Sequence, residues 1–145
     1  MRIMLTALFV CLALCFASDL AACIPDSKTL CLNNERFQIR VDWKTPQGQN
    51  GTGNAVRVRN ASNQFVDDSG YFWFFNQDNV ELVVKVLNGC PVNNRYWVFA
   101  GGLTNVEATI TVTDTFAGFE QKTYKNPLNT AFQPIQDTSA FATCP

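Results

Sequence analysis

Residues Val106 to Asp114 alternate without a fault. Val106, Ala108, Ile110 and Val112 point one way, and Glu107, Thr109, Thr111 and Thr113 the other. A period of two with β-branched residues fits a strand with one buried face; a helix cannot use it. The pattern recurs from Arg36 to Trp43, where Phe37, Ile39, Val41 and Trp43 oppose Arg36, Gln38, Arg40 and Asp42. Shorter strands are predicted at Ala55 to Arg59, Tyr71 to Phe75, Val80 to Leu87, Arg95 to Ala100 and Phe119 to Lys125, with a last one near Phe132. Arg57 and Arg59 on one face mark the first of these as an edge strand. Turn signals separate the strands: Asp67-Asp68-Ser69-Gly70, Asn76 to Asn79, Asn88-Gly89, Gly101-Gly102 and Asn126 to Asn129. Thr45 to Asn54 reads as a longer polar loop. The prediction is an all-β fold, an antiparallel β-sandwich of immunoglobulin-like or similar type with seven or eight strands and two disulfides.

The chain opens Met1-Arg2, and Ile3 to Ala17 is an almost unbroken apolar run that ends at Ser18 and Asp19. This is the layout of a secretory signal peptide and is short for a membrane span. It divides the chain into a signal segment, residues 1–22, and one all-β domain, residues 23–145. Cys15-Phe16-Ala17 offers a cleavage site before Ser18. Leu20-Ala21-Ala22-Cys23 reads instead as a lipobox, which would leave the protein anchored to a membrane through Cys23. Asp19 interrupts the apolar run there and counts against this second reading. The expected location is secreted or periplasmic, with the Cys23 lipoprotein as the alternative.

Six cysteines are present, and Cys11 and Cys15 leave with the signal segment. Cys23, Cys31, Cys90 and Cys144 remain, an even number that lipidation of Cys23 would break. Of three connectivities, Cys23–Cys31 with Cys90–Cys144 is favoured. The first pair is local, with a turn-forming Pro25-Asp26-Ser27 between its members, and the second ties the tail to the middle of the domain.

Composition narrows the chemistry. There is no histidine, so the commonest general base and the commonest zinc ligand are both missing. A net charge of −1 offers no basic surplus for nucleic acid. Asp67 with Asp68, and Asp78 with its asparagine neighbours, could supply calcium oxygens, yet turn formation accounts for both and neither has the spacing of a calcium loop. No metal and no cofactor are expected. Tyr71, Trp73 and Phe75 share one strand face, Phe72 and Phe74 the other, and Trp97 lies on a later strand. These rings fill a core or form a stacking platform, and any exposed ring should lie on one face only.

Cys31-Leu-Asn-Asn-Glu-Arg-Phe37, Ser69-Gly-Tyr-Phe-Trp-Phe-Phe75, Asn79-Val-Glu-Leu-Val-Val-Lys-Val-Leu-Asn-Gly-Cys90, Arg95-Tyr-Trp-Val-Phe-Ala-Gly-Gly-Leu-Thr-Asn-Val-Glu107, Val112-Thr-Asp-Thr115 and Lys122-Thr-Tyr-Lys-Asn-Pro127 follow one another along the chain. Together they resemble a family of bacterial secreted all-β domains, found as small exported proteins and as modules of larger extracellular ones. The resemblance runs from Cys23 to the end. It implies export, an accessory role and a place for Cys23 in the folded domain, and it implies no catalytic residue. The expectation is a non-enzymatic binding or structural module whose partner is an extracellular protein or a glycan. Tyr71, Trp73 and Trp97 are the candidate binding residues, and a carbohydrate-binding domain is the main alternative. A secreted enzyme inhibitor acting through Thr45 to Asn54, and a hydrolase built on a carboxylate pair, are further alternatives.

Overall fold

The computed structural model describes residues 21–145. All but the last two residues of the expected signal segment lie outside the described part. Among the described residues no helix is long and apolar enough to cross a membrane.

Two antiparallel five-stranded sheets face each other across one core. The first contains β1 (Leu30–Leu32), β2 (Phe37–Lys44), β3 (Asn50–Thr52), β8 (Glu107–Asp114) and β9 (Glu120–Asn126). Its order is β1-β2-β8-β9, and β3 also pairs with β2. The second contains β4 (Asn54–Arg59), β5 (Phe65–Trp73), β6 (Leu82–Asn88), β7 (Tyr96–Gly102) and β10 (Ile135–Phe141), in the order β10-β7-β6-β5-β4. One helical turn, α1 (Cys90–Asn93), links β6 to β7. The sandwich is as expected, with ten strands in place of seven or eight. The two additions, β1 and β3, have three residues each, too few to display a period.

The alternations set the registers. Ile39 lies opposite Val112, and Val41 opposite Ile110. In the second sheet Phe72 faces Leu82, and Val86 faces Val98. These eight side chains are fully buried. Each contributes about 1.5–3 kcal/mol by leaving water. β4 is an edge strand, as its charged face predicted.

Three local expectations change. Asp67-Asp68-Ser69-Gly70 is not a turn; it lies within β5, and the turn is at Asn60–Gln64, where the Asn60 carboxamide oxygen accepts from the N–H of Ser62 and Gln64. Gly70 serves close packing: a Cβ there would overlap the methyl groups of Leu30 on the facing sheet. Gly101-Gly102 does not break β7; it pairs with Val83 and Leu82, and Gly102 leaves room for the Phe132 ring. Phe132 is accordingly a buried plug outside any strand, and the last strand begins at Ile135.

The tail is fastened three ways. Phe141 packs fully buried against Phe37, with ring centroids 5.3 Å apart. The disulfides are Cys23–Cys31 and Cys90–Cys144, each with Cα atoms 5.8 Å apart. Beside the second, Arg36 grips Asp114 through two N–H groups, Nε to Oδ1 at 3.0 Å and Nη2 to Oδ2 at 2.8 Å. Two further N–H groups reach the Tyr96 hydroxyl, from Nη1 at 2.9 Å, and the Thr143 carbonyl, from Nη2. At the other open edge the Tyr124 hydroxyl of β9 donates to Asp137 of β10 at 2.8 Å. Burial, then that bond, push the Tyr124 phenol well above the usual tyrosine range.

Candidate functional site

The second sheet has a core face and a water face. Because β5 alternates, Phe72 goes in while Tyr71 and Trp73 go out, as the sequence divided them; Phe74 and Phe75 lie past the end of β5, Phe74 buried and Phe75 against Trp43 at the end of the sandwich. Phe75 is 51% exposed, and Tyr71 and Trp73 are half-buried. Trp97 and Phe99 share this outer face with Val83, which is 44% exposed. Among the described residues the other sheet does not cover it, and α1 meets it at Trp97 through Asn93.

The three candidate rings share the face but not one spot. Tyr71 stands in a row with Val83 and Gly101, whereas Trp97 stands opposite Leu87, four residues further along β6. At about 3.4 Å per residue that is roughly 13 Å along the strands. Trp97 also has local duties. Its indole lies flat where a Cβ on Gly89 would be, and its N–H donates to Asn93 Oδ1 at 2.8 Å. Over β6, β7 and the start of β10, and lined by none of the three rings, Val83, Phe99, Gly101, Pro134, Ile135 and Gln136 outline an open apolar trough of about 200 Å³. Lys85 stands at its rim, paired with Asp68 at 3.3 Å. Sequence reasoning singled out the rings and missed Val83 and Phe99, whose outward parity was readable from their strands.

The other aromatic group is structural. Trp43 stacks on Phe74 at 5.9 Å and meets the edge of Phe75 at 4.9 Å, closing one end of the sandwich. Thr45 to Asn54 is less a loop than a hairpin, since β3 pairs back onto β2 with Gly51 beneath the Trp43 indole.

A polar hollow of about 290 Å³ lies at the β4 edge, lined by Cys31, Asn34, Glu35, Arg57 and Asp67. Asn33, Asn34 and Glu35, the turn between β1 and β2, are all left-handed, with φ of 54°, 53° and 63°. Asparagine tolerates this conformation; glutamate in it costs about 1–2 kcal/mol. β5 holds the turn in place: the Asn33 N–H donates to the Asp67 carbonyl at 2.8 Å, and the Asn34 N–H to the Asp67 carboxylate at 3.0 Å. Asn33 Nδ2 donates to the Val86 carbonyl at 2.8 Å. Arg57 stacks on Phe65 with its guanidinium 4.2 Å from the ring centre. Its Nε is buried and has no hydrogen-bond partner among the described residues.

Asp67 and Asp68, weighed as calcium oxygens, thus meet protein groups instead. Among the described residues no group of three or more histidine, cysteine or acidic side chains could hold a metal ion. Glu35 and Asp67 are the carboxylate pair that the fold brings to one hollow, and sequence reasoning did not foresee it. Both are exposed, and the Asp67 carboxylate accepts from the Asn34 N–H.

No family model, no curated protein and no solved structure matches the chain.

Proposed function

We propose that this protein is a secreted, non-enzymatic binding module that meets its extracellular partner through the outer face of the β10-β7-β6-β5-β4 sheet. One observation carries the reading: Tyr71, Trp73, Val83, Trp97 and Phe99 remain part-exposed on a face that the other sheet leaves uncovered. Large apolar residues grouped on one face are how partner surfaces are commonly built. The signal-like start and the paired cysteines support export. The resemblance to the bacterial secreted domains supports an accessory role. Carbohydrate is the second reading, favoured because Tyr71, Trp73 and Trp97 all turn outward.

The test is capture of extracellular proteins and of arrayed glycans by the exported chain, compared with Tyr71→Ala and Phe99→Ala. Both side chains are part-exposed, so the variants keep the fold. We expect capture to weaken by at least about tenfold in each, as for a ring at the centre of an interface. Capture that is undiminished in both variants would remove this face from the reading.

A further inference from the structure

We propose that the partner of the outer sheet face is a second copy of this chain, docked through a knob and a socket that the face carries side by side. This rests on the reading of that face as the binding surface and adds what binds there.

The knob is Leu103. The ladder runs on past β7, since the Leu103 N–H donates to the Glu81 carbonyl at 2.8 Å. Gly102 faces the core against Phe132, so alternation turns Leu103 outward. At 81% exposure it is the most exposed large apolar side chain among the described residues. The socket is the apolar trough two residues back. Gly101 forms its floor, where a Cβ would meet nothing within 4 Å, and Val83, Phe99 and Pro134 wall it. Its volume of about 200 Å³ exceeds the ~150 Å³ that holds a benzene ring, so a leucine side chain fits. Only Lys85 and Gln136 bring polar side chains to the lining, and Lys85 is already paired with Asp68, which favours an apolar knob over a sugar.

A knob and a socket on one face make that face self-complementary. A two-fold axis midway between two facing sheets, crossing β7 at Gly102, carries each Leu103 over the Gly101 floor of the other copy. This is the isologous contact of a closed dimer. The rest of the face agrees with the same axis. Tyr71 stands in the row of Gly101, and Trp73 one place beyond the Phe72–Leu82–Gly102 row, level with Leu103. The operation therefore lays Trp73 of each copy over Tyr71 of the other, with the strands aligned as in face-to-face sheet packing.

Area sets the strength. Four inter-strand gaps of about 4.8 Å, by three outward rows about 7 Å apart, give roughly 400 Å² of flat area per copy. A standard interface uses about 800 Å² per partner, so this dimer is weak and exchanging, with Kd on the order of 10–100 µM.

The experiment is sedimentation equilibrium of the exported chain from about 5 to 500 µM, spanning that Kd. We expect a monomer–dimer equilibrium. Leu103→Ser removes the knob and Gly101→Leu fills the socket. Both positions face water, so thermal midpoints stay level, and each change should weaken the dimer by about tenfold or more. Mixing the two variants should restore association in part, because the heterodimer keeps one intact knob and one open socket. If Gly101→Leu does not fold, Leu103→Ser carries the test alone. A monomer at every concentration overturns the proposal, and so does a dimer that the variants leave intact. In either case the face remains the binding surface if Tyr71→Ala and Phe99→Ala still lose capture of another protein or a glycan. Loss of such capture in Leu103→Ser, from a chain that stays monomeric, gives the trough to a foreign protein instead.

Discussion

Arg36 and Arg57 carry the same charge into opposite surroundings. Arg36 is paired with fully buried Asp114 and bonded to Tyr96 and Thr143. Removing one partner of such a pair strands the other, so Asp114→Ala should lower urea-measured stability by about 3–5 kcal/mol. A loss below about 1 kcal/mol, the value of a surface pair, would contradict this account. Arg57 has no such partner, and Arg57→Lys should cost little stability. Tyr124 adds a pH dependence with a definite sign. Its folded pKa is raised, so its contribution is complete below about 10, the ordinary tyrosine value. Above that the unfolded chain releases a proton that the folded one keeps, and stability falls as pH rises. Tyr124→Phe should therefore flatten the alkaline loss in denaturation curves taken at increasing pH. An unchanged slope would remove Tyr124 as its source. None of these pairings was legible in the sequence: Arg36 and Asp114 are 78 residues apart, and Tyr124 and Asp137 stand on strands of different sheets.

The long strands were legible because each has one face in the core. Phe37, Ile39 and Val41 are buried, as are Ala108, Ile110 and Val112, and a period of two displays them directly. β5 shows where that reading gives out. Asp67-Asp68-Ser69-Gly70 has the composition of a turn, but neighbours override it: Asp67 holds the β1–β2 turn, Asp68 pairs with Lys85, and Gly70 makes room for Leu30. Local propensity is the weaker term in a sheet. Gly70→Ala should thus destabilise by about 1–3 kcal/mol through overpacking. The double variant with Leu30→Ala should cost less than the sum of the two single changes. Strict additivity in chemical denaturation would mean that Leu30 is not what Gly70 accommodates.

At the scale of the molecule, fold class and disulfide pairing were readable, and the hollow was not. Cysteine parity and locality pointed to Cys23–Cys31 and Cys90–Cys144, the pairing found. The ring face was half readable: parity put Tyr71 and Trp73 together, but only the register shows Trp97 lying far from them. The hollow needs the β1–β2 turn, β4 and β5 side by side, a juxtaposition with no periodic trace in the chain. Replacing Cys90 and Cys144 by alanine should lower stability by about 2–5 kcal/mol, since the bridge closes a long loop and fastens the tail.

The fastening of the tail also sets a clock. Synthesis delivers the N-terminal side first, yet Arg36 finds its last acceptor at Thr143, a separation of 107 residues, and Phe37 finds Phe141. Contacts so distant in sequence cannot form until nearly all of the domain has emerged, and such topologies fold slowly. A growing chain arrested with Phe141 still inside the ribosome should be cut readily by protease, and the released chain should resist. The domain is therefore made as one late event, with its first half waiting, open to chaperones and proteases, for its last few residues.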